Sequence, residues 1–518
     1  MSNQFADLQG SPRQAARWQK AQQHLLAGRP ELARAAYEDL LAKFPGAAQL
    51  WFELAFAAGR QLDFVRANEA GLRAAALAPR DANLLVLLGQ QAHWLRQLDR
   101  ARACFQAAVA ADPASTHPQL SLADWYEREG RLTDAAACVQ AALARQPHDP
   151  QIHCLQALVA HRQGRDDEAE KLLRGVIQRS GADANIQYTC RQQMAAVADH
   201  LGRHEEALRW LGEAKSVLRR TANLPKLEQD YERATRRRRE LVDGLTPAML
   251  ARWRAEPFEL PGGQRLAFLG GHPRSGTTLI EQILGAHPRI AAYDEPTAFI
   301  EEVAGHLDPQ DTSKVLTAAA LDALPAAHLA QVRARYLRSL RRAESAGPNG
   351  ELLLDKNPSP TGLLPLWLRV FPGMKVLIAL RDPRDVIISC YFQNLRLNPT
   401  NANFLSLERT ARHYMDLMDV WLRIRELGGC DWLETRYEDT VGGLAAEGRR
   451  MTEFLGLAWH PHQVDYLTTA RRTPVFAPTY AAVAQPIHGR AVARWQNYAA
   501  ALAPLQERLA PYCRRLGY

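Results

Sequence analysis

Leu266-Ala267-Phe268-Leu269-Gly270-Gly271-His272-Pro273-Arg274-Ser275-Gly276-Thr277-Thr278-Leu279 decides how the C-terminal half of this chain is read. An apolar run suited to a strand leads into a turn carrying glycine and proline. Then comes Leu279-Ile280-Glu281-Gln282-Ile283-Leu284, whose apolar residues fall at i, i+1, i+4 and i+5 of a helix. A strand that turns abruptly into a helix gathers backbone N–H groups and the positive end of the helix dipole at one point, which suits a phosphate-like anion. The magnesium-nucleotide form of such a loop puts lysine after the glycine and a hydroxyl on the metal. Here Thr277 and Thr278 follow Gly276, and the positive side chain, Arg274, precedes it. Such a loop is poorly equipped for Mg-ATP, which disfavours a small nucleotide kinase.

A second strand-turn-helix pattern lies downstream. Phe371-Pro372-Gly373-Met374-Lys375-Val376-Leu377-Ile378-Ala379-Leu380 runs into Arg381-Asp382-Pro383-Arg384-Asp385-Val386-Ile387-Ile388-Ser389, with Pro383 early in the following helix. Open parallel sheets bind ligands beyond the carboxyl ends of their strands. An arginine at such an end and a serine on the next helix can converge on a second anion. Two phosphate sites argue for a nucleotide phosphorylated at both ends of its ribose; the plainer reading of Arg381 is a surface ion pair with Asp382 or Asp385.

The loop around Arg274-Ser275-Gly276-Thr277-Thr278-Leu279 resembles the 5′-phosphosulfate loop of sulfotransferases, and more closely that of tyrosylprotein sulfotransferases. The resemblance implies 3′-phosphoadenosine 5′-phosphosulfate as donor, without a metal. In that family an arginine and a serine grip the 3′-phosphate, and Arg381 and Ser389 match them in type and spacing. The resemblance covers most of the second half of the chain. It also implies donor contacts at Tyr437, in Trp432-Leu433-Glu434-Thr435-Arg436-Tyr437, and in a final loop from Thr479 to Trp495. There Thr479 stands where a serine is usual and Arg494 where a lysine is usual, and both keep a donor group with altered reach. Gln393 replaces a family arginine four residues after Ser389.

Sulfuryl transfer resembles phosphoryl transfer as an in-line displacement, served by positioning, charge stabilisation and a base for the acceptor proton. Ala291-Ala292-Tyr293-Asp294-Glu295-Pro296 supplies the close carboxylates outside the loop helix. The family's proposed base follows the loop arginine at the distance separating Glu295 from Arg274, so Glu295 is the candidate base and Asp294 the reserve. A phenolic hydroxyl has a pKa near ~10, so a carboxylate assists only as charge develops in the transition state. Positive charge at the departing oxygen can come from Arg274. The resemblance adds Lys356, in Leu352-Leu353-Leu354-Asp355-Lys356-Asn357-Pro358.

The N-terminal half has another logic. Ala33, Ala67, Ala101, Ala135 and Ala169 are spaced by 34 residues, and Pro45, Pro79, Pro113 and Pro147 keep the same period. Gly28, Gly130 and Gly164 share a further phase, in which Leu62 and Arg96 replace glycine. Helix-turn-helix units of this length are tetratricopeptide repeats: a small residue permits close packing and proline ends the second helix. Gly202 and Ala207 suggest a sixth unit after a four-residue shift, and Tyr37, Phe105, Val139 and Leu173 supply larger knobs, with Gly71 breaking the series. Stacked repeats form a solenoid that binds peptides or protein surfaces, which predicts a protein partner. Arg233-Ala234-Thr235-Arg236-Arg237-Arg238-Arg239-Glu240 then reads as a solvated capping helix and connector. Without interleaved aromatics it does not indicate nucleic acid.

The expected architecture is an α-solenoid of tetratricopeptide repeats over 10–220, a capping helix and linker over 221–257, and an α/β domain with a central parallel sheet of the P-loop/sulfotransferase type over 258–518. The 518 residues, 47% hydrophobic and 23% charged, suit two domains with substantial cores. A net charge of +8 favours a polyanionic donor. No basic segment opens onto an apolar core at the start, and no run approaches the ~20 residues of a membrane span, so a cytoplasmic chain is expected. Seven scattered cysteines offer neither zinc spacing nor a disulfide framework. The implied activity is sulfuryl transfer to a hydroxyl, with a tyrosine of a protein or peptide as leading acceptor, presented with help from the repeats. A carbohydrate or small phenol is the alternative acceptor, and a non-catalytic nucleotide-binding scaffold the alternative function.

Overall fold

The computed structural model describes residues 4–27, 29–61, 63–95, 97–179, 183–307, 316–342, 350–467 and 487–518. The chain forms two compact units, one built on Met1–Gln178 and the other on Arg179–Leu340 with Ala346–Tyr518. Among the described residues no helix is long and apolar enough to cross a membrane.

The first unit is a succession of antiparallel helix pairs, from Pro12–Leu26 with Pro30–Leu41 to Pro150–Arg162 with Asp166–Gln178. The periodic alanines explain the stacking. Ala33, Ala67, Ala101, Ala135 and Ala169 are all fully buried, where a larger side chain would hold the paired helices apart. Tyr37, Phe105, Val139 and Leu173 are buried four positions on. Gly71 breaks that series because the guanidinium of Arg100 occupies its space: a Cβ at Gly71 would lie 1.9 Å from Arg100 Nη2. Gly130 and Gly164 close the first helix of their pairs with φ of 71° and 77°, the left-handed conformation that glycine adopts at least cost. Gly28, Leu62 and Arg96, in the same phase, lie outside the described residues.

The second unit is built on a five-stranded sheet, with β1 Arg265–Gly271, β2 Ile290–Asp294, β3 Leu352–Lys356, β4 Lys375–Leu380 and β5 Asp431–Arg436 in the order β2-β3-β1-β4-β5. Every neighbouring pair is parallel. Helices cover both faces, so the strands read as nearly continuous apolar runs. Along β1, Leu266 and Phe268 face a large core in which Trp367 stacks on Phe299 at 3.7 Å between ring centroids. Ala267 and Leu269 face the other layer, with Ile280, Leu284, Met451 and Leu455. The chain leaves β1 toward β2 on one side and reaches β5 from β4 on the other. The carboxyl ends of β1 and β4 therefore meet at a topological switch point, where such sheets hold ligands.

The pair of helices expected as a sixth repeat, Ala184–His200 and His204–Thr221, packs within this second unit. Gly202 has φ of 74° and Ala207 is fully buried, so the repeat geometry persists. The helix Leu224–Asp243 carries the basic run. Arg236 and Arg239 are exposed, while the Tyr231 hydroxyl lies 3.0 Å from His413 Nδ1 and donates to Asp416 Oδ2 at 2.8 Å.

Candidate active site

At the switch point, Gly271 has φ of 125° and a Cβ there would lie 2.4 Å from the Ala379 carbonyl oxygen, so only glycine lets β1 end against β4. Thr361 anchors this corner, accepting from Gly271 N at 2.8 Å and donating to Gly271 O at 3.0 Å. The chain then turns through Arg274, in the left-handed region at φ 76°, to Gly276 at φ 92°, which caps the helix Thr277–Gly285. A Cβ on Gly276 would lie 2.6 Å from Tyr437 Cδ2, so the tyrosine closes directly over the loop.

These residues border a cavity of about 500 Å³. Its walls bring together Arg274, Gly276, Thr277 and Thr278 from the loop, Glu295 after β2, Arg381 and Ser389 after β4, Tyr437 after β5, and Arg494 near the C-terminus. Ser275 is buried but does not line it. Thr479 lies outside the described residues. Arg274, Glu295 and Ala493 are the non-glycine residues with positive φ among those described, and all three sit in loops that border this cavity. Backbone strain concentrates where a site has to be held open.

Three guanidinium groups reach the cavity, and those of Arg274 and Arg381 are tied together. Arg274 Nε donates to Ser389 Oγ at 3.1 Å, and Arg381 Nη1 donates to the Arg274 carbonyl oxygen at 3.2 Å. The two motifs, distant in sequence, are thus one structure. With its amide oriented to satisfy the network, Gln393 Oε1 accepts from Arg274 Nε at 2.8 Å and Nη1 at 3.0 Å, so the family's missing arginine is replaced by an acceptor for another arginine. Arg381 is 6% exposed and its Nε has no partner among the described residues. Arg381 Nη2 lies 3.9 Å from Asp385 Oδ2, so the ion pair that the sequence allowed forms, but it is long and buried on both sides, not at the surface. Burial lowers the Arg274 guanidinium from its usual range, and Arg381 and Arg494 add to that effect. Positive charges brought this close out of water favour an anion between them.

Glu295 and Lys356 meet, though not as side-by-side groups on the cavity wall. β2 and β3 pair Asp294 with Lys356 in register, which buries the lysine ammonium against the Asp294 carboxylate. Lys356 Nζ also lies 3.2 Å from Glu295 Oε1. Lys356 is fully buried and does not line the cavity, whereas the Glu295 side chain is 43% exposed and does. Burial alone would lower the lysine; Asp294, Glu295 and Glu281 outweigh it and raise it above its ordinary range. Lys356 thus holds two carboxylates, one of them the candidate base. Cys390 also lines the cavity, and burial pushes its thiol up to about 12, which disfavours the thiolate.

Sequence reasoning missed the support for the last wall. Asp199 accepts from Arg494 Nη2 at 2.7 Å, and Trp495 N donates to Asp385 Oδ1 at 2.7 Å. Tyr188 OH accepts from Leu395 N at 2.6 Å, and Gln192 Nε2 donates to the Phe392 carbonyl at 2.6 Å. No spacing signals such contacts, which join residues about one to three hundred positions apart.

Residues 267–461 match the family model described as "Sulfotransferase family", and residues 88–137 and 120–184 match that described as "Tetratricopeptide repeat". Protein-tyrosine sulfotransferase 2 of Gallus gallus is 24% identical over 283 residues, covering 49% of this chain and 69% of that protein. An uncharacterized protein of Aquifex aeolicus (strain VF5) is 26% identical over 290 residues; the match takes in 53% of this chain but only 36% of that relative. The solved sulfotransferase domain from the Synechococcus PCC 7002 olefin synthase is 21% identical, with a TM-score of 0.32, covering 46% of this chain and 91% of that domain. The chain thus joins tetratricopeptide repeats to a sulfotransferase-family domain, whose loop after β1 forms one wall of the cavity.

Proposed function

We propose that this chain transfers a sulfuryl group from 3′-phosphoadenosine 5′-phosphosulfate to an acceptor hydroxyl, and that a tyrosine of a protein or peptide is the acceptor. One observation carries the reading: the N-terminus of the helix Thr277–Gly285, three arginines and an accessible carboxylate converge on one cavity. In this reading the loop amides and Arg274 bind the 5′-phosphosulfate, while Arg381 and Ser389 bind the 3′-phosphate. Tyr437, over Gly276, flanks the nucleotide. Arg494 closes the donor side, with Thr479 as the further contact that the resemblance implies.

The acceptor oxygen attacks sulfur as the bond from sulfur to the bridging oxygen breaks. The acceptor proton passes to the Glu295 carboxylate, and Arg274 stabilises the charge left on the 5′-phosphate. Lys356 serves as a positioning residue, its ammonium set on the Glu295 carboxylate. No metal takes part in the scheme. The tyrosine acceptor is supported by the names of the curated relatives and by repeats of a kind that bind polypeptides.

Calorimetry on the full chain tests the donor reading. Adenosine 3′,5′-bisphosphate should bind tightly with or without magnesium, and ATP weakly. Preference for Mg-ATP would overturn the proposal. A bound bisphosphate justifies screening tyrosine peptides for an 80-dalton gain, the mass of one added sulfuryl group replacing a proton.

A further inference from the structure

The helix Ala184–His200 lies outside the matched sulfotransferase segment, yet its last turn reaches the cavity wall. Asp199 accepts from Arg494 Nη2 at 2.7 Å through one carboxylate oxygen, and from the Tyr498 hydroxyl through the other. Arg494 lines the cavity, with its guanidinium carbon 4.3 Å from the centre of the Phe392 ring and 5.7 Å from that of Tyr498. Phe392 is itself held by Gln192, on the same helix as Asp199. A carboxylate in the last turn of a helix faces the negative end of the helix dipole and is disfavoured there. It also neutralises charge at a site that needs charge. Both costs are offset if the carboxylate fixes the direction of the guanidinium. A long arginine side chain otherwise loses substantial rotamer entropy when it engages a ligand.

We infer that Asp199 is a positioning residue for the donor site, orienting Arg494 so that the rest of its guanidinium faces the phosphate-bearing end of the nucleotide beside Arg381. The inference rests on the donor reading above. It makes the repeat-like hairpin part of the donor site as well as a candidate surface for partners. With one edge of the guanidinium committed to Asp199, the group presents its remaining N–H donors in a fixed plane, which matches a phosphate better than a freely rotating side chain does.

The test is a double-mutant cycle on the full chain, read by calorimetry with adenosine 3′,5′-bisphosphate and with adenosine 5′-monophosphate. Asp199→Asn and Arg494→Ala should each weaken the bisphosphate by about tenfold, and the double variant no more than Arg494→Ala alone. Affinity for the monophosphate should change little, and the donor KM should rise without a matching fall in kcat. Asp199→Glu should recover part of the affinity. Tyr498→Phe, which removes the other hydrogen bond to Asp199 but keeps the ion pair, should lose less affinity than Asp199→Asn and supplies a second variant if Asp199→Asn is unstable. Bisphosphate affinity that is unchanged or tighter in Asp199→Asn, additive losses in the double variant, or a full loss in Tyr498→Phe would overturn the inference while leaving the donor reading intact. An unaltered chain that binds no bisphosphate would overturn both.

Discussion

Glu295 and Lys356 show how much chemistry depends on one pair of neighbouring side chains. Glu295 is the accessible carboxylate of the pair Asp294 and Glu295, and Lys356 contacts both. Glu295→Gln keeps the shape and removes the proton acceptor, so turnover should fall by about 10²–10⁴-fold while bisphosphate affinity stays within a factor of about two. Turnover close to that of the unaltered chain would remove Glu295 from the base role. Lys356→Met removes the buried ammonium from between two carboxylates, which should cost about 3–5 kcal/mol of stability in urea denaturation. Gly276→Ala tests the loop. An alanine at φ 92°, with its Cβ 2.6 Å from Tyr437, should cost about 1–3 kcal/mol and weaken the bisphosphate with it. Retained stability and affinity would show that the loop relaxes freely.

The hairpin Ala184–His200 and His204–Thr221 behaves as an element of the second unit, and one buried side chain records this in a pH dependence. Lys215 is fully buried, 4.6 Å from the centre of the Tyr391 ring, and its ammonium has no hydrogen-bond partner among the described residues. Burial, reinforced by Arg219, lowers its pKa to about 7 from an ordinary 10.5. Below about pH 7 the lysine is charged in both states and folding bears the whole penalty of burying it. Between about pH 7 and 10.5 the unfolded chain binds the extra proton, so this contribution to stability rises with pH. Lys215→Met should therefore be more stable than the unaltered chain at pH 7, with the gap narrowing toward pH 9 in parallel urea titrations. A gap independent of pH would mean that Lys215 is not titrating across this range.

For the whole molecule, the compact units suggest where it can be divided. Removing residues 1–178 takes away the first unit and leaves Tyr188, Gln192 and Asp199 in place. The remaining chain should fold and bind bisphosphate within about twofold of the full chain. If the repeats present the acceptor, the KM for a peptide acceptor should rise, while that for the donor should not. Removing residues 1–257 also takes away Asp199, Tyr231 and the helices that carry them, and should yield a chain that no longer binds the bisphosphate or no longer stays in solution. Equal donor affinity in both truncations would show that the hairpin contributes nothing to the site.

The sequence by itself determined what is local or periodic. The repeats are legible because a period of 34 residues is a property of the string, and the same alanines turn out fully buried. The strand-turn-helix at Leu266–Leu279 is legible because apolar runs, glycine and proline act on their immediate neighbours. Arg381 and Ser389 can be singled out together because one strand end and one helix set their spacing. Tertiary structure decided what depends on register and long-range packing. Lys356 faces Asp294 because β2 and β3 pair those two residues, and Arg274 bonds Ser389 because β1 and β4 end side by side. Arg494 meets Asp199 across 295 residues. Such pairs leave no trace in spacing, since chain closure over long distances depends on the whole core and not on the residues that finally touch.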